Sequence, residues 1–176
     1  MSRRFLAILA GLLVAAIAVY WFGFRQKTVE AHVQVPILVA AIGEGEEAVG
    51  VAGNGAVVRW LPPPEDPPLP RLPLDEVPKG GKVRGTALEQ VRVLAAAPDD
   101  LRPYVDSSYF GESGVDVTLT TGIELRFGDA SQARRKWRAA AAVLADPSVT
   151  SLDYVDLHAP SRPAYGGSEH ELPAAP

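Results

Sequence analysis

Residues 122–157 read GIELRFGDASQARRKWRAAAAVLADPSVTSLDYVDL, a strand–helix–strand pattern that decides the fold. Its first part, IELRFG, predicts a short β-strand. A helix is predicted to begin at Asp129, because Gln132 follows at capping-box spacing, and to end before Pro147. The apolar stripe of this helix comprises Ala133, Trp137, Ala140, Ala141 and Leu144. The segment then returns to a strand at DYVDL.

The chain upstream of this segment begins with strand patterns. VQVPILVAA (33–41) predicts a buried strand, and AVGVAGNGAVVRW (48–60) predicts a hairpin. Asn54 and Gly55 favour a type I′ turn, since both residues tolerate a positive φ. The proline-rich residues 61–73 are predicted to form an extended connector across the surface, with a ligand for an SH3-like groove as the alternative.

A first helix and three short strands complete the pattern. The helix is predicted to start at Thr86, with Glu89 at capping-box spacing, and to end at Pro98. The stretches SSYF, VDVTLT and IELRFG follow as strands. Because most adjacent strands are joined by tight turns, the sequence predicts an α+β fold: a mostly antiparallel sheet with two packed helices.

The N-terminus predicts a membrane anchor. Residues 5–24 contain no charged side chain, and twenty residues make about 30 Å of helix, the thickness of a bilayer core. The prediction is a short cytoplasmic tail (1–4), one transmembrane helix (5–24) and a juxtamembrane connector (25–32), with the rest outside the cytoplasmic membrane. A signal peptide cleaved after residues 16–18 is the alternative and would give a secreted protein.

Composition excludes several functions. The net charge is −4, and residues 1–24 contain two arginines and no acid, so the remainder is more acidic still and nucleic acid is not an expected partner. There is no cysteine, and the three histidines lie far apart in sequence, so no metal site or cofactor is predicted. The sequence contains no recognisable catalytic motif, which favours a protein that is not an enzyme.

The stretch DYVDLHAPSRPAYG (153–166) indicates how the chain is used. It begins as a strand but then contains Pro160 and Pro163, and proline within a sheet is confined to edges and bulges. We therefore predict that the last strand is an edge reserved for another protein. The two prolines have opposite parity, so each side of that strand would lose one donor. The alternative is that they merely end the fold.

Several of these stretches together resemble a known family. VRWLPPP and LPRLP, followed by GIELRFGD, the helix containing Lys136, YVDL and PSRPA, are similar to the C-terminal β domain of the FtsQ/DivIB bacterial cell-division proteins. The resemblance covers residues 33–167. Members of the family usually carry a POTRA domain after the membrane helix, and residues 25–32 are too few to form one.

The resemblance implies a function without catalysis. Family members are single-pass scaffolds of the divisome that bind the coiled-coil division proteins FtsB (DivIC) and FtsL by β-augmentation of their last strand. The implied partner-binding residues here are Leu157, His158, Ala159, Ser161, Arg162, Ala164, Tyr165 and Gly166. Arg162 and Tyr165 are expected to anchor the partner, and residues 168–176 are expected to form a disordered tail. An anchored module that binds a small ligand is the alternative function.

Overall fold

The computed structural model of the chain describes residues 35–172. Their strands form two sheets. The smaller sheet is antiparallel, with the order β1 (Leu38–Ile42), β2 (Val49–Ala52), β3 (Val57–Val58). The larger sheet has the order β4 (Val105–Gly111), β5 (Gly114–Leu119), β6 (Glu124–Gly128), β7 (Ser151–Asp156), β8 (Ala164–Glu171).

Two helices pack on these sheets, as the predicted α+β fold requires. Helix α1 (Gly85–Ala95) contacts both sheets, and α2 (Ala133–Leu144) packs on α1 and β6. Three of the four strand pairings in the larger sheet are antiparallel. The fourth, between β6 and β7, is parallel, because α2 carries the chain back to the other end of the sheet. The mostly antiparallel sheet is confirmed.

The core lies between the helices and the inner face of the larger sheet. Strands β5 and β6 contribute Val115, Val117, Leu125 and Phe127, all completely buried. Trp137 of α2 is also completely buried, with its ring centroid 5.0 Å from that of Phe127. Outward-facing polar residues alternate with these side chains, which is the pattern of a sheet with one buried face.

The end of the proline-rich segment joins the two sheets. The Ala41 N–H of β1 donates to the Pro70 carbonyl at 3.0 Å, and the Leu72 N–H donates to the Ala41 carbonyl at 2.9 Å. Between them, Arg71 forms a parallel bridge to Ala41 and another to Ser107 of β4. Because Leu72 is buried, the prediction of a surface connector is wrong for these last residues.

Both helix starts differ from the prediction, because the expected capping side chains have other partners. Helix α1 begins at Gly85 without a side-chain cap, and the Glu89 carboxylate accepts the backbone N–H of Ala130 at 3.2 Å. Helix α2 begins at Ala133, and Asp129 lies in the turn before it. A local capping rule cannot anticipate a partner that lies far away in sequence.

A buried lysine holds the turn before α2. Lys136 donates to the Phe127 carbonyl at 2.8 Å, the Asp129 carbonyl at 2.9 Å and the Asp129 carboxylate at 2.7 Å. The hydrogen bond from Lys136, helped by Ser131, lowers the pKa of Asp129 to about 2. A buried ammonium is tolerated here because all three of its protons have acceptors. Lys136 thereby fastens α2 to the end of β6.

The predicted hairpin around Asn54 and Gly55 is confirmed, but its turn type is not. Gly55 has φ +81, whereas Asn54 does not have a positive φ, so the turn is not type I′. The Asn54 side chain instead accepts the Ala56 N–H at 2.9 Å.

The chain end is more ordered than predicted. Strand β8 continues to Glu171, and the Leu172 N–H donates to the Thr150 carbonyl at 2.9 Å. The prediction of a disordered tail from residue 168 is therefore wrong for residues 168–172. A polar composition is compatible with an edge strand, because both of its faces can be exposed to water.

The predicted cytoplasmic tail (1–4), transmembrane helix (5–24) and connector (25–32) lie outside the described residues. The final residues 173–176 do so too. Between residues 35 and 172, no helix is long and apolar enough to cross a bilayer.

Candidate partner-binding edge

Strand β8 ends the larger sheet. It pairs antiparallel with β7, and no other strand among residues 35–172 pairs with its second side. The register places Gly166 opposite Tyr154, Tyr165 opposite Val155, and Ala164 opposite Asp156. An edge strand of this kind exposes backbone groups that another chain can bind.

The outward-facing backbone of β8 includes that of Tyr165. The Leu157 N–H donates to the Arg126 carbonyl of β6 at 2.9 Å, so the next backbone groups along β7, those of Asp156, face β8. Ala164, the register partner of Asp156, therefore faces β7. Because backbone groups alternate along a strand, the N–H and C=O of Tyr165 point away from the sheet.

A bulge divides β8. One residue of β7, Asp153, stands opposite the three residues 167–169 of β8. The Asp153 carboxylate accepts the Glu169 N–H at 2.6 Å. Gly167 has φ +96, and a Cβ added there would lie 2.0 Å from the Asp153 Cγ, so the bulge requires glycine. The bulge interrupts the regular edge after Gly166.

The predicted site residues fall into three groups. Leu157 is completely buried and belongs to the core, so its side chain is not available to a partner. Four exposed residues lie in the loop between β7 and β8: His158, Ala159, Ser161 and Arg162. The remaining three begin β8: Ala164, Tyr165 and Gly166.

The two prolines do not act as predicted. Pro160 and Pro163 both lie before β8, in the loop that the Arg162 N–H closes by donating to the Ala159 carbonyl at 2.8 Å. The inference that each side of the last strand loses one donor is therefore wrong. Proline at the entrance to a strand shapes the turn and leaves the strand's hydrogen bonding intact.

The outer face of the sheet carries a polar network that no sequence motif predicts. Tyr109 donates a hydrogen bond to Glu124, and the Arg126 Nη2 donates to the same carboxylate at 2.9 Å. The Arg126 guanidinium lies 4.3 Å from the centroid of the Tyr154 ring. These residues occupy outward-facing positions of β4, β6 and β7. The alternation of apolar and polar residues along each strand is the sequence signal that could have placed them on one face of the sheet.

Electrostatics fix the charges in this network. The hydrogen bond to Glu124, with burial and nearby Asp116, raises the pKa of Tyr109 to about 12. Burial alone would raise the pKa of Glu124, but hydrogen bonds from Tyr109 and Arg126 bring it below its ordinary value. Burial raises the pKa of Asp116, whose Oδ1 has no hydrogen-bond partner. At neutral pH, Arg126 and Glu124 are therefore a fixed ion pair beside Tyr154.

A comparison with family models identifies the domain. The model described as "Cell division protein FtsQ/DivIB, C-terminal" matches residues 40–158, more than half of the chain. The chain belongs to the FtsQ/DivIB family. This confirms the resemblance found in the sequence and assigns the chain a role in cell division. No curated protein sequence is similar enough to add a closer relative.

The family match covers only part of the candidate edge. It extends from β1 through β7 and stops at His158, so β8 and most of the loop before it lie beyond the matched residues. The FtsQ/DivIB match therefore identifies the domain from β1 to β7. The geometry of the edge comes from the structure.

His158 and Asp156 hold the start of the loop in this FtsQ/DivIB domain. The Asp156 carboxylate accepts the His158 backbone N–H at 2.9 Å and lies 2.8 Å from Nδ1 of the ring. The hydrogen bond to Asp156 raises the pKa of His158, although burial and the charge of Lys136 oppose it. Burial would raise the pKa of Asp156, but its hydrogen bonds from His158 lower it.

The pH dependence of this pair follows from the two shifts. Because the folded pKa of His158 lies above 6.5, its stabilising contribution is complete below that value and is lost as the pH rises through the folded pKa. The contribution of Asp156 is present above pH 3.8 and is lost as the pH falls through its lowered folded pKa.

We expect Asp156→Asn to return the His158 pKa towards 6.5 in an NMR titration, because the substitution removes the carboxylate that raises it. An unchanged pKa would contradict the pairing.

The bulge also brings together three possible metal ligands. Asp153, Glu169 and His170 each place one ligand atom within 4.8 Å of the others. Carboxylate and imidazole groups can bind divalent metals. Asp153 lies far from Glu169 and His170 in the sequence, and only the pairing of β7 with β8 reveals this cluster. Asp153 already accepts the Glu169 N–H, which accounts for its position without a metal.

Proposed function

We propose that this chain is a non-catalytic scaffold of the bacterial divisome that holds a partner by β-augmentation of β8. The observation that carries the proposal is the unpaired outer side of β8 in an FtsQ/DivIB domain. In β-augmentation, main-chain hydrogen bonds supply affinity and alternate side chains supply selectivity. The backbone of Tyr165 offers the first such donor and acceptor.

The side chains around Tyr165 suit a protein interface. Tyr165 is 47 % exposed although it lies in a regular strand, and Arg162 is exposed in the loop just before it. Tyrosine and arginine are enriched among the residues that carry most of the binding energy in interfaces. Both residues adjoin the open backbone, so one extended segment can contact all of these groups.

The family resemblance suggests the partners and the location. The proposed partners are the small coiled-coil division proteins FtsB (or DivIC) and FtsL. The proposed location is the cytoplasmic membrane, with residues 5–24 as a single span in the lipid bilayer, the N-terminus in the cytoplasm and the β domain outside. Sequencing the N-terminus of the mature protein tests this anchor against a cleaved signal peptide.

Photo-crosslinking in living cells tests the function directly. The photoreactive amino acid p-benzoylphenylalanine replaces Tyr165, and a second strain carries it at Lys79, an exposed position outside the larger sheet. We expect position 165 to capture a coiled-coil division protein, identified by mass spectrometry, and position 79 not to do so. Absence of such a product from position 165, or equal capture from both positions, would refute the proposal.

A double substitution gives a quantitative prediction. Tyr165→Ala together with Arg162→Glu should weaken partner capture by about tenfold or more, because interface anchors of this type contribute about 2 kcal/mol or more. Both side chains are exposed, so Tm should change little. Co-purification with the captured protein and thermal unfolding measure the two effects.

The matched control exchanges the same residue types elsewhere. Tyr104 and Arg59 are exposed and lie outside β8 and its loop. Tyr104→Ala with Arg59→Glu should leave capture unchanged. Equal losses in the two double variants would indicate a general effect of surface charge and contradict the assigned edge.

The small-ligand alternative requires a deep pocket with converging polar groups. The described domain has open grooves of 310, 230 and 260 Å³, which lie beside the proline-rich segment. Ligand pockets typically have volumes of about 300–1,000 Å³. Only the largest of these three grooves reaches the lower end of that range, and all three are open to solvent. We therefore prefer the open strand as the candidate site.

A further inference from the structure

The Tyr154 side chain lies beside Gly166 of the edge strand β8. It stands opposite Gly166 in the register, and glycine has no side chain to cover the strand there. A Cβ added to Gly166 would lie 3.4 Å from the Tyr154 hydroxyl oxygen and 3.6 Å from Cε1 of the ring. An aromatic ring that covers a glycine on the neighbouring strand compensates for the missing side chain.

The Tyr154 ring is held in place from its other side. The Arg126 guanidinium lies 4.3 Å from the ring centroid, and Glu124 fixes that guanidinium by accepting hydrogen bonds from Nε at 3.2 Å and Nη2 at 2.9 Å. A side chain fixed before binding loses less conformational entropy when a partner arrives. The Tyr154 ring is therefore preorganised for contact with a partner.

The geometry of strand addition determines what meets this ring. Residues directly opposite each other in paired strands project from the same face of the sheet. A partner residue opposite Gly166 would project from the outer face, where Tyr154 is the nearest side chain of β7. The next partner residue would project from the other face, beside Tyr165. An added strand would thus contact one tyrosine on each face.

Charge at the far end of β8 adds a second requirement. Glu169 and Glu171 are exposed, and the Leu172 N–H turns towards β7, so the backbone of Glu171 points away from the sheet. A segment that pairs with β8 at Tyr165 and continues in the same direction past the bulge would pass close to these two carboxylates. A lysine or arginine at that end of the segment would complement them.

We propose that Tyr154, stacked on Arg126, is a second partner contact that selects the side chain opposite Gly166. The partner is an extended segment of another division protein, with an aromatic or long aliphatic residue at that position and a basic residue towards Glu171. This inference rests on the proposed function, since it describes the segment that pairs with β8.

Paired crosslinking from positions 154 and 165 tests the inference. With p-benzoylphenylalanine at each position in turn, both sites should capture the same partner segment. The crosslinked partner residues should be separated by an odd number of positions, because they project from opposite faces. Phe110, exposed on β4 at the opposite edge of the sheet, serves as the control position and should capture nothing.

The possible failures are distinguishable. Capture from 165 without capture from 154 would refute the role of Tyr154 and leave the proposed function intact. Capture on partner residues of the same parity, or capture of a second copy of this chain, would also refute it. If neither position captures a division protein, the proposed function fails and this inference fails with it.

Substitutions separate contact from folding. Tyr154→Phe keeps the ring and should retain capture, whereas Tyr154→Ala should weaken it by about tenfold. Gly166→Ala places its Cβ at ordinary contact distance and should retain capture, while Gly166→Leu fills the space beside the ring and should weaken it. Tm is measured for each variant. A fully binding Tyr154→Ala or Gly166→Leu protein would overturn the assignment.

The charge requirement has its own variant. Glu171→Lys reverses a charge beyond the reach of Tyr154 and should slow capture, since rim charges act mainly on association. Unchanged or faster capture would show that the partner has no basic residue opposite Glu171.

Discussion

Replacement of Trp137 by alanine is expected to lower the free energy of unfolding by about 3–5 kcal/mol. The indole is completely buried, packs against Phe127, and donates from Nε1 to the Val93 carbonyl at 2.8 Å. Removing it leaves a cavity between the helices and the sheet, and the Val93 carbonyl keeps only its hydrogen bond from the Ala96 N–H at 3.1 Å. Urea unfolding followed by circular dichroism measures the loss.

The chain supplies a matched control for this substitution. Trp60 is 65 % exposed, so Trp60→Ala should change the free energy of unfolding by about 0.5 kcal/mol or less. Trp137→Phe should fall between the two, because it keeps most of the ring but loses the hydrogen bond to α1. If Trp137→Ala and Trp60→Ala had similar effects, Trp137 would not close the core.

Substitution of Gly114 should have the second large effect. Gly114 begins β5 with φ +113, and a Cβ added there would lie 2.2 Å from the Gly128 carbonyl oxygen. That oxygen belongs to the backbone and cannot rotate away. Gly114→Ala should therefore combine conformational strain with a displacement of β6, at a cost of about 2–4 kcal/mol. The same urea experiment measures it.

Gly81 isolates the conformational part of this cost. It has φ +67, and a Cβ added there would have no atom within 4 Å. Gly81→Ala should cost about 1–2 kcal/mol, the penalty for an alanine in the left-handed region. If both substitutions lowered the free energy of unfolding equally, β6 would be able to move away from an added Cβ at no cost. That result would contradict the close contact between Gly114 and Gly128.

The positions of the strands in the sequence were predictable where the signals were local. Alternation in VDVTLT and the Asn54-Gly55 pair each identify an element within a few residues. The starts of the helices were not predictable in this way. Asp129 and Glu89 resemble capping residues, but Asp129 binds Lys136 and Glu89 accepts the Ala130 N–H. A capping pattern predicts a local partner, and here the folded chain supplies others.

The candidate edge was found in the right region but misplaced along the chain. The sequence places the partner-binding residues between 157 and 166, whereas β8 occupies Ala164–Glu171. Proline marks both edge strands and turns, so Pro160 and Pro163 could not separate the two. The network around Tyr154 required knowledge that β6 and β7 pair in parallel, which depends on how α2 returns the chain.

The order of the strands in the sequence has a consequence for the assembly of the larger sheet, because β8 follows β4 to β7. A folding intermediate that has assembled β4 to β7 but not yet β8 has β7 as its edge strand. The bare side of β7 would then attract any extended peptide nearby, including one meant for the finished protein. Pairing of β8 with β7 covers that side of β7 and moves the open edge to β8.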